Sequence, residues 1–143
     1  MITYLLDVNL LLALGDPMHI HHEAAHGWFA EKGSQNWATC PVTENGFVRI
    51  ASHPNYPNRP GDAHTVLEIL RQFCSAEGHH FWGEEISLRE ILRTDVFFTH
   101  SQITDIYLLG LAVHKGGKLA TLDQRILASL IEGGDQALEL INI

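Results

Sequence analysis

Cysteine is scarce in this chain, with only Cys40 and Cys74 among 143 residues. They lack C-x-x-C spacing, which argues against a cysteine-based metal site and for a reducing intracellular compartment. Both read as buried thiols. Positive charge is scarce too: nine Lys and Arg face seventeen Asp and Glu, a formal net charge of -8. That balance speaks against nonspecific coating of nucleic acid, where a basic face supplies most of the affinity. It leaves room for an enzyme that acts on nucleic acid, because acids gathered round a cation are neutralised locally. Scattered residues such as Arg49, Arg59, Arg71, Arg89, Arg93, Lys115, Lys118 and Arg125 remain to contact phosphates. Long apolar runs are missing as well. The longest, Leu5 to Leu14, falls short of the roughly 20 residues a spanning helix needs, and Asp7 and Asn9 interrupt it. No Lys or Arg precedes it, so it does not read as a signal peptide. The expectation is a cytoplasmic protein with no membrane contact. Repeats, low-complexity tracts and long charge blocks are absent, and the length suits one domain spanning 1–143.

The patterning alternates between strand and helix. Ile2 to Leu6 reads as a strand ending at Asp7, followed by a short helix from Asn9 to Leu14 that Gly15-Asp16-Pro17 stops. His21 to Lys32 has helical spacing of Ala25, Trp28 and Phe29, and Asn36 to Cys40 reads as a second strand. Thr43 is expected to cap a helix with Glu44 in its first turn. The proline- and asparagine-rich stretch His53 to Asp62 reads as an exposed loop. Further helices are expected over Ala63 to Cys74, Glu85 to Leu92 and Ile103 to the Gly116-Gly117 stop, the last apolar nearly all round. Phe81-Trp82, Lys118 to Leu122 and Leu138 to Ile141 read as strands, with a helix from Gln124 to Glu132 before the last. This order predicts an α/β sandwich on a mainly parallel sheet, with its ligand site at the carboxyl ends of the strands.

Four acids are expected at that end. Asp7 and Asp123 close strands, while Glu44 and Asp105 open helices. A buried Asp costs several kcal/mol unless paired, and two bare carboxylates about 4 Å apart repel by roughly 4 kcal/mol at an effective dielectric of 20. Protons or a metal must therefore enter such a cluster. Oxygen-only ligands favour Mg²⁺ or Mn²⁺ over Zn²⁺. Singly, Asp123 reads as a cap for the helix from Gln124, and Asp105 as a first-turn acid favoured by the helix dipole. Asp7 changes the balance, because an acid inside an apolar run has no evident capping role. Asn9 is placed to orient a ligand or its water, with Thr104 and Thr121 as lesser candidates.

Taken together, Leu5-Leu6-Asp7-Val8-Asn9, Thr43-Glu44-Asn45-Gly46-Phe47, the segment Ile103 to Ala112 and the segment Leu119 to Ile126 resemble a PIN domain, in particular a VapC-type toxin of bacterial toxin–antitoxin pairs. The resemblance spans essentially the whole chain. It implies a five-stranded parallel sheet flanked by helices and an endoribonuclease dependent on Mg²⁺ or Mn²⁺, with Asp7, Glu44, Asp105 and Asp123 as catalytic metal ligands. It also implies a homodimer and a small cognate antitoxin that occupies the active-site groove. Water is then the nucleophile, and the products carry a 5′-phosphate and a 3′-hydroxyl.

Other readings compete with this one. A phosphatase of the haloacid dehalogenase type needs Asp-x-Asp after its first strand, and Asn9 stands where the second acid belongs. A PIN-like module that binds RNA or protein without catalysis would be favoured by loss of one of the four acids. His22 and His26 have a Zn²⁺-binding spacing but lack the Glu of H-E-x-x-H and a third ligand. They, His19, His21, His79, His80 and His100 read as solvated side chains, with stacking on RNA bases as a further use.

Overall fold

Tyr4 and Leu6 face one side of the sheet and Leu5 the other, the alternation that a strand imposes. Each side joins its own cluster of 15 buried residues. The structure, a computed structural model, describes residues 1–143. Its strands are β1 (Tyr4–Leu6), β2 (Trp37–Thr39), β3 (His79–Phe81), β4 (Lys118–Thr121) and β5 (Leu138–Leu140). They form one sheet of five strands in the order β3-β2-β1-β4-β5, and every pairing is parallel. Tyr4 lies opposite Lys118 and Leu6 opposite Ala120. The strand order reverses direction at β1, so the crevice past the ends of β1 and β4 is the topological switch point where α/β sheets bind ligands.

Helices α1 (Val8–Gly15), α2 (His22–Trp28), α3 (Pro41–Ala51) and α4 (Ala63–Phe73) cover one face. The other face carries α5 (Leu88–Ile91) and α6 (Ile103–His114). Seven consecutive residues of α6, Ile106 to Ala112, are buried, as its apolar surround predicted. Gly110 brings this helix against Ile91 of α5, since a Cβ there would lie 2.5 Å from Cγ2 of Ile91.

Several local expectations need correction. The segment His21 to Lys32 is not one regular helix: α2 stops at Trp28 and continues as a wider π-helical turn, Phe29–Gly33. Around this turn Trp28 meets Tyr4 edge-on at 5.2 Å and Phe29 meets Trp37 edge-on at 5.5 Å. Thr43 does not precede α3. Pro41 opens that helix, and the Thr43 hydroxyl reaches back to accept from the Cys40 amide at 3.0 Å. Only Leu88–Ile91 of the stretch from Glu85 to Leu92 is helical, with Ser87 as its cap.

The helix expected over Gln124 to Glu132 does not form. The Asp123 carboxylate accepts from the Arg125 amide at 2.9 Å, closing a local turn that competes with helical hydrogen bonding. Leu127 sits at φ -87 and ψ 81, outside the helical region, and only a 3₁₀ turn, Ala128–Leu130, follows. Ala128 and Ile131 are nevertheless buried in the cluster under α6. Their apolar character therefore reflects packing rather than a helical face.

Candidate active site

Asp7 stands immediately past β1, and its amide donates to Ala120 O at 2.9 Å, extending the β1–β4 pairing by one step. Its backbone remains extended while Val8 begins α1, so Asp7 is also the N-cap of that helix: Oδ1 accepts from the Val8 amide at 2.8 Å. The capping role that the sequence did not reveal thus exists. It uses one oxygen only. Oδ2 accepts from the Thr121 hydroxyl at 2.8 Å, and the residue is only 4% exposed.

A polar lattice fixes this carboxylate. The Thr121 hydroxyl donates to Asp7 and accepts from Asn9 Nδ2 at 3.1 Å and from the Asp123 amide at 3.1 Å. Asn9 Oδ1 in turn accepts from the Leu122 amide at 3.1 Å. Thr121 and Asn9 therefore clamp the ends of β1 and β4 together as well as orienting Asp7. Asp123 is half-buried at 18% side-chain exposure and pairs with the largely exposed Arg125 at 3.2 Å.

Asp105 lies in the first turn of α6 and enters the same region from the opposite side of the sheet. Burial, and then the neighbouring charges of Asp105 and Asp123, push the Asp7 carboxyl up to about 6 against the hydrogen bonds from Thr121 and Val8. Burial and Asp123 likewise raise Asp105, with partial relief from Arg125. Asp7 and Asp105 therefore both resist ionisation, and the Asp123 charge contributes to each.

Asp7 and Asp105 open onto a cleft of about 600 Å³ walled by α1, α3 and the start of α6. Asn9 and Thr104 also line it, together with Arg49, expected only as one of several scattered phosphate contacts, and two polar residues that the sequence did not single out, Asn45 and Glu84. Glu84 had a usable signal. It follows the end of β3 by three residues, so the rule that picked Asp7 and Asp123 from strand ends applies to it as well. Arg49 is the one basic side chain lining the cleft.

Glu44 is the acid that the structure does not bring to this cleft. On α3, Asn45 and Arg49 line both the Asp7 cleft and the groove against α4, whereas Glu44, Val48 and Ser52 line that groove alone. The four-residue spacing keeps Glu44, Val48 and Ser52 together on the side of the helix away from Asp7. The Thr39 hydroxyl holds Glu44 there, donating to Oε2 at 2.7 Å. Cys74 and His79 complete that corner, and the ligand atoms of Glu44, Cys74 and His79 all lie within 4.8 Å of one another. No other three His, Cys, Asp or Glu side chains converge so closely. Asp7 and Asp105 line the cleft, and Asp123 lies beside it, near enough for its charge to act on both.

No model of a protein family matches the chain. Individual relatives do. The chain is 40% identical to Ribonuclease VapC44 of Mycobacterium tuberculosis over 131 residues, covering 90% of this chain and 92% of that protein. It is 37% identical to Ribonuclease VapC38 of the same organism over 142 residues, covering 97% and 98%. Among solved structures, M. tuberculosis VapC20, described as a sarcin-ricin loop cleaving toxin, superposes with a TM-score of 0.62 at 12% identity, covering 90% of this chain and 95% of that one. VapBC2 from Rickettsia felis, bound to a DNA fragment from its promoter, gives 0.62 at 11% identity, covering 99% and 100%. The two superpositions establish the fold that the sequence pattern implied, a PIN-type α/β sandwich. With identity of this order over nearly the full length of both partners, the chain belongs to the VapC ribonuclease family.

Proposed function

We propose that the chain is a metal-dependent endoribonuclease, the toxin of a toxin–antitoxin pair, which hydrolyses RNA phosphodiester bonds in the cleft of Asp7, Asp105 and Asp123. The observation that carries this reading is the rigid presentation of a buried carboxylate, Asp7, beside two other acids that raise its pKa. A fold gains no stability from such a cluster by itself. A divalent cation removes the repulsion.

The donor set fits that cation. Asp7, Asp105 and Asp123 supply oxygen only, which suits Mg²⁺ or Mn²⁺ better than Zn²⁺. When bound, the ion would acidify water and neutralise charge developing on the phosphodiester. The chain's own residues do the rest. Thr121 and Asn9 hold Asp7 in one orientation, and Arg49 offers a guanidinium to a backbone phosphate across the cleft. Water as nucleophile leaves a 5′-phosphate and a 3′-hydroxyl.

The antitoxin and homodimer expectations rest on family membership. The antitoxin would be a small protein encoded beside this one, docking over the same cleft, and cytoplasmic location follows from the RNA substrate. No helix is long and apolar enough to cross a membrane.

The test is cleavage of total RNA by the purified chain with Mg²⁺, with Mn²⁺ and with chelator. Metal-dependent products bearing 5′-phosphates, lost in Asp7→Asn and Asp105→Asn, are expected. Full cleavage by either variant would remove the site assignment. Growth arrest on expression without the neighbouring gene, relieved by co-expression of that gene, tests the toxin role.

A further inference from the structure

Glu44, Cys74 and His79 come from three separate elements: the first turn of α3, the residue that ends α4, and the first residue of β3. Their ligand atoms nevertheless lie within 4.8 Å of one another, and all three residues are half-buried. We propose that this corner is a Zn²⁺ site, distinct from the catalytic cleft, with Cys74 Sγ, His79 and Glu44 as its three protein ligands and water as the fourth.

Donor type comes first. Thiolate, imidazole and carboxylate together select zinc among the common divalent ions, whereas Mg²⁺ and Mn²⁺ prefer all-oxygen shells. Spacing comes next. With Zn–S of about 2.3 Å and Zn–N and Zn–O of about 2.0 to 2.2 Å, tetrahedral ligands sit roughly 3.3 to 3.7 Å apart. Contraction from the 4.8 Å limit needs about 1.1 to 1.5 Å, within the reach of side-chain rotation at half-buried positions.

The surroundings already orient the donors. Thr39 Oγ1 donates to Glu44 Oε2 at 2.7 Å and lies 2.7 Å from His79 Nε2. The imidazole ring also packs on Trp37, with centroids 4.7 Å apart. The Thr39 hydroxyl thus bridges Glu44 Oε2 and His79 Nε2 and turns both side chains toward one point, leaving Glu44 Oε1 and His79 Nδ1 uncommitted by that bridge. Binding converts the Cys74 thiol to a thiolate and releases its proton to solvent, so zinc uptake is accompanied by proton release.

The site also accounts for the position of Glu44. Its carboxylate turns from the catalytic cleft toward a thiol and an imidazole. A metal there would tie α3, α4 and β3 together at the edge of the sheet.

The test uses the full chain and does not depend on ribonuclease activity. Equilibrium dialysis against Zn²⁺ followed by metal analysis should give one tightly held ion per chain. Co²⁺ in its place should show thiolate-to-cobalt charge-transfer absorption. Cys74→Ser should abolish that absorption, and His79→Gln should weaken Zn²⁺ binding at least by the roughly ten- to hundredfold that loss of an outer partner already costs. Alkylation of wild-type protein needs no variant: Zn²⁺ should protect Cys74 from iodoacetamide, while Cys40 is shielded by burial in either case. His22→Ala with His26→Ala should leave the cobalt absorption intact, which separates this corner from the histidine-rich segment. Absence of a thiolate band, unprotected Cys74 in saturating Zn²⁺, or undiminished binding by Cys74→Ser and His79→Gln would each overturn the proposal. Loss of RNA cleavage in Asp7→Asn with Zn²⁺ binding retained would leave both readings standing. The two assignments therefore fail independently.

Discussion

The hydroxyl of Thr121 donates to the carboxylate of Asp7 across 2.8 Å, joining residues 114 apart in the chain at the centre of the sheet. The same oxygen accepts from Asn9 and from the Asp123 amide. One buried hydroxyl therefore couples the mount of Asp7 to the backbone leading into Asp123. Thr121→Val keeps the shape and removes all three contacts. The expected cost is about 1 to 3 kcal/mol of stability, the range for stranding buried polar partners, read from urea unfolding. RNA cleavage should fall by more than the loss of folded protein explains. Equal activity per folded molecule would show that Asp7 needs no orienting partner.

Asp7→Asn separates function from stability. An acid whose folded pKa is raised binds more protons folded than unfolded, so its contribution to stability is greatest at low pH and declines as pH rises toward the folded value. The rise from 3.8 to about 6 corresponds to about 3 kcal/mol of destabilisation once Asp7 is ionised in metal-free protein. Asn removes the charge but keeps one acceptor for the Val8 amide. The variant should lose RNA cleavage, yet melt higher than wild type in chelator at neutral pH, by up to about 6 to 12 °C where the full penalty is relieved. Adding Mg²⁺ or Mn²⁺ should raise the melting temperature of wild type and not of the variant. A lower melting temperature in chelator would contradict the electrostatic account.

The strands and the buried helix were legible because their signals are local. The continuous apolar run Tyr4-Leu5-Leu6, buried at every position, and the all-round apolar face of α6 need no knowledge of partners. What escaped depended on tertiary context. A helix from Gln124 is plausible by composition, but Asp123 closes its own turn onto Arg125 and the apolar residues that follow pack individually beneath α6. The placement of Glu44 was hidden for a related reason. Sequence order put it just past a strand, but only the rotation of α3 decides which groove each residue enters. Neighbouring Asn45 reaches the Asp7 cleft while Glu44 meets Thr39.

That rotation leads to a comparison of two acids. Glu84 lines the cleft with Asp7 and Asp105, whereas Glu44 lies in the groove between α3 and α4. Glu84→Gln should therefore lower metal-dependent RNA cleavage more than Glu44→Gln does. Steady-state cleavage at several Mg²⁺ concentrations measures it, since a residue at the cleft should also shift the metal requirement. The reverse ranking would mean that α3 rotates when RNA or metal binds.

Gly46 controls how closely α3 approaches α1. A Cβ at this position would lie 2.7 Å from Val8 Cγ2, and Val8 follows Asp7 directly and also lines the cleft. Gly46→Ala gains helix propensity of about 1 kcal/mol, but overpacking costs typically 1 to 3 kcal/mol. The expected balance is a net loss of stability by denaturant unfolding, with reduced cleavage because Val8 carries Asp7 with it. Stabilisation would show that Val8 yields without moving α1.

At the far edge of the sheet, Glu139 of β5 binds Lys32 Nζ at 2.6 Å and the Trp28 indole at 3.1 Å, tying α2 and the π-helical turn to the last strand. Burial alone would raise this carboxyl, but the hydrogen bonds from Lys32 and Trp28 outweigh it and hold it below its ordinary 4.5. A depressed folded pKa means that the stabilisation is present above the unfolded value and is lost as pH falls through the folded one. Lys32 is 52% exposed, so solvent screening limits the pair to about 1 kcal/mol or less. Glu139→Gln should then be less stable than wild type near pH 6, with the difference closing as the pH falls below the ordinary carboxylate value of 4.5 and through the lowered folded one. Urea midpoints of both proteins across that range provide the measurement. A gap that persists unchanged in acid would assign the stabilisation to packing against Trp28 rather than to charge.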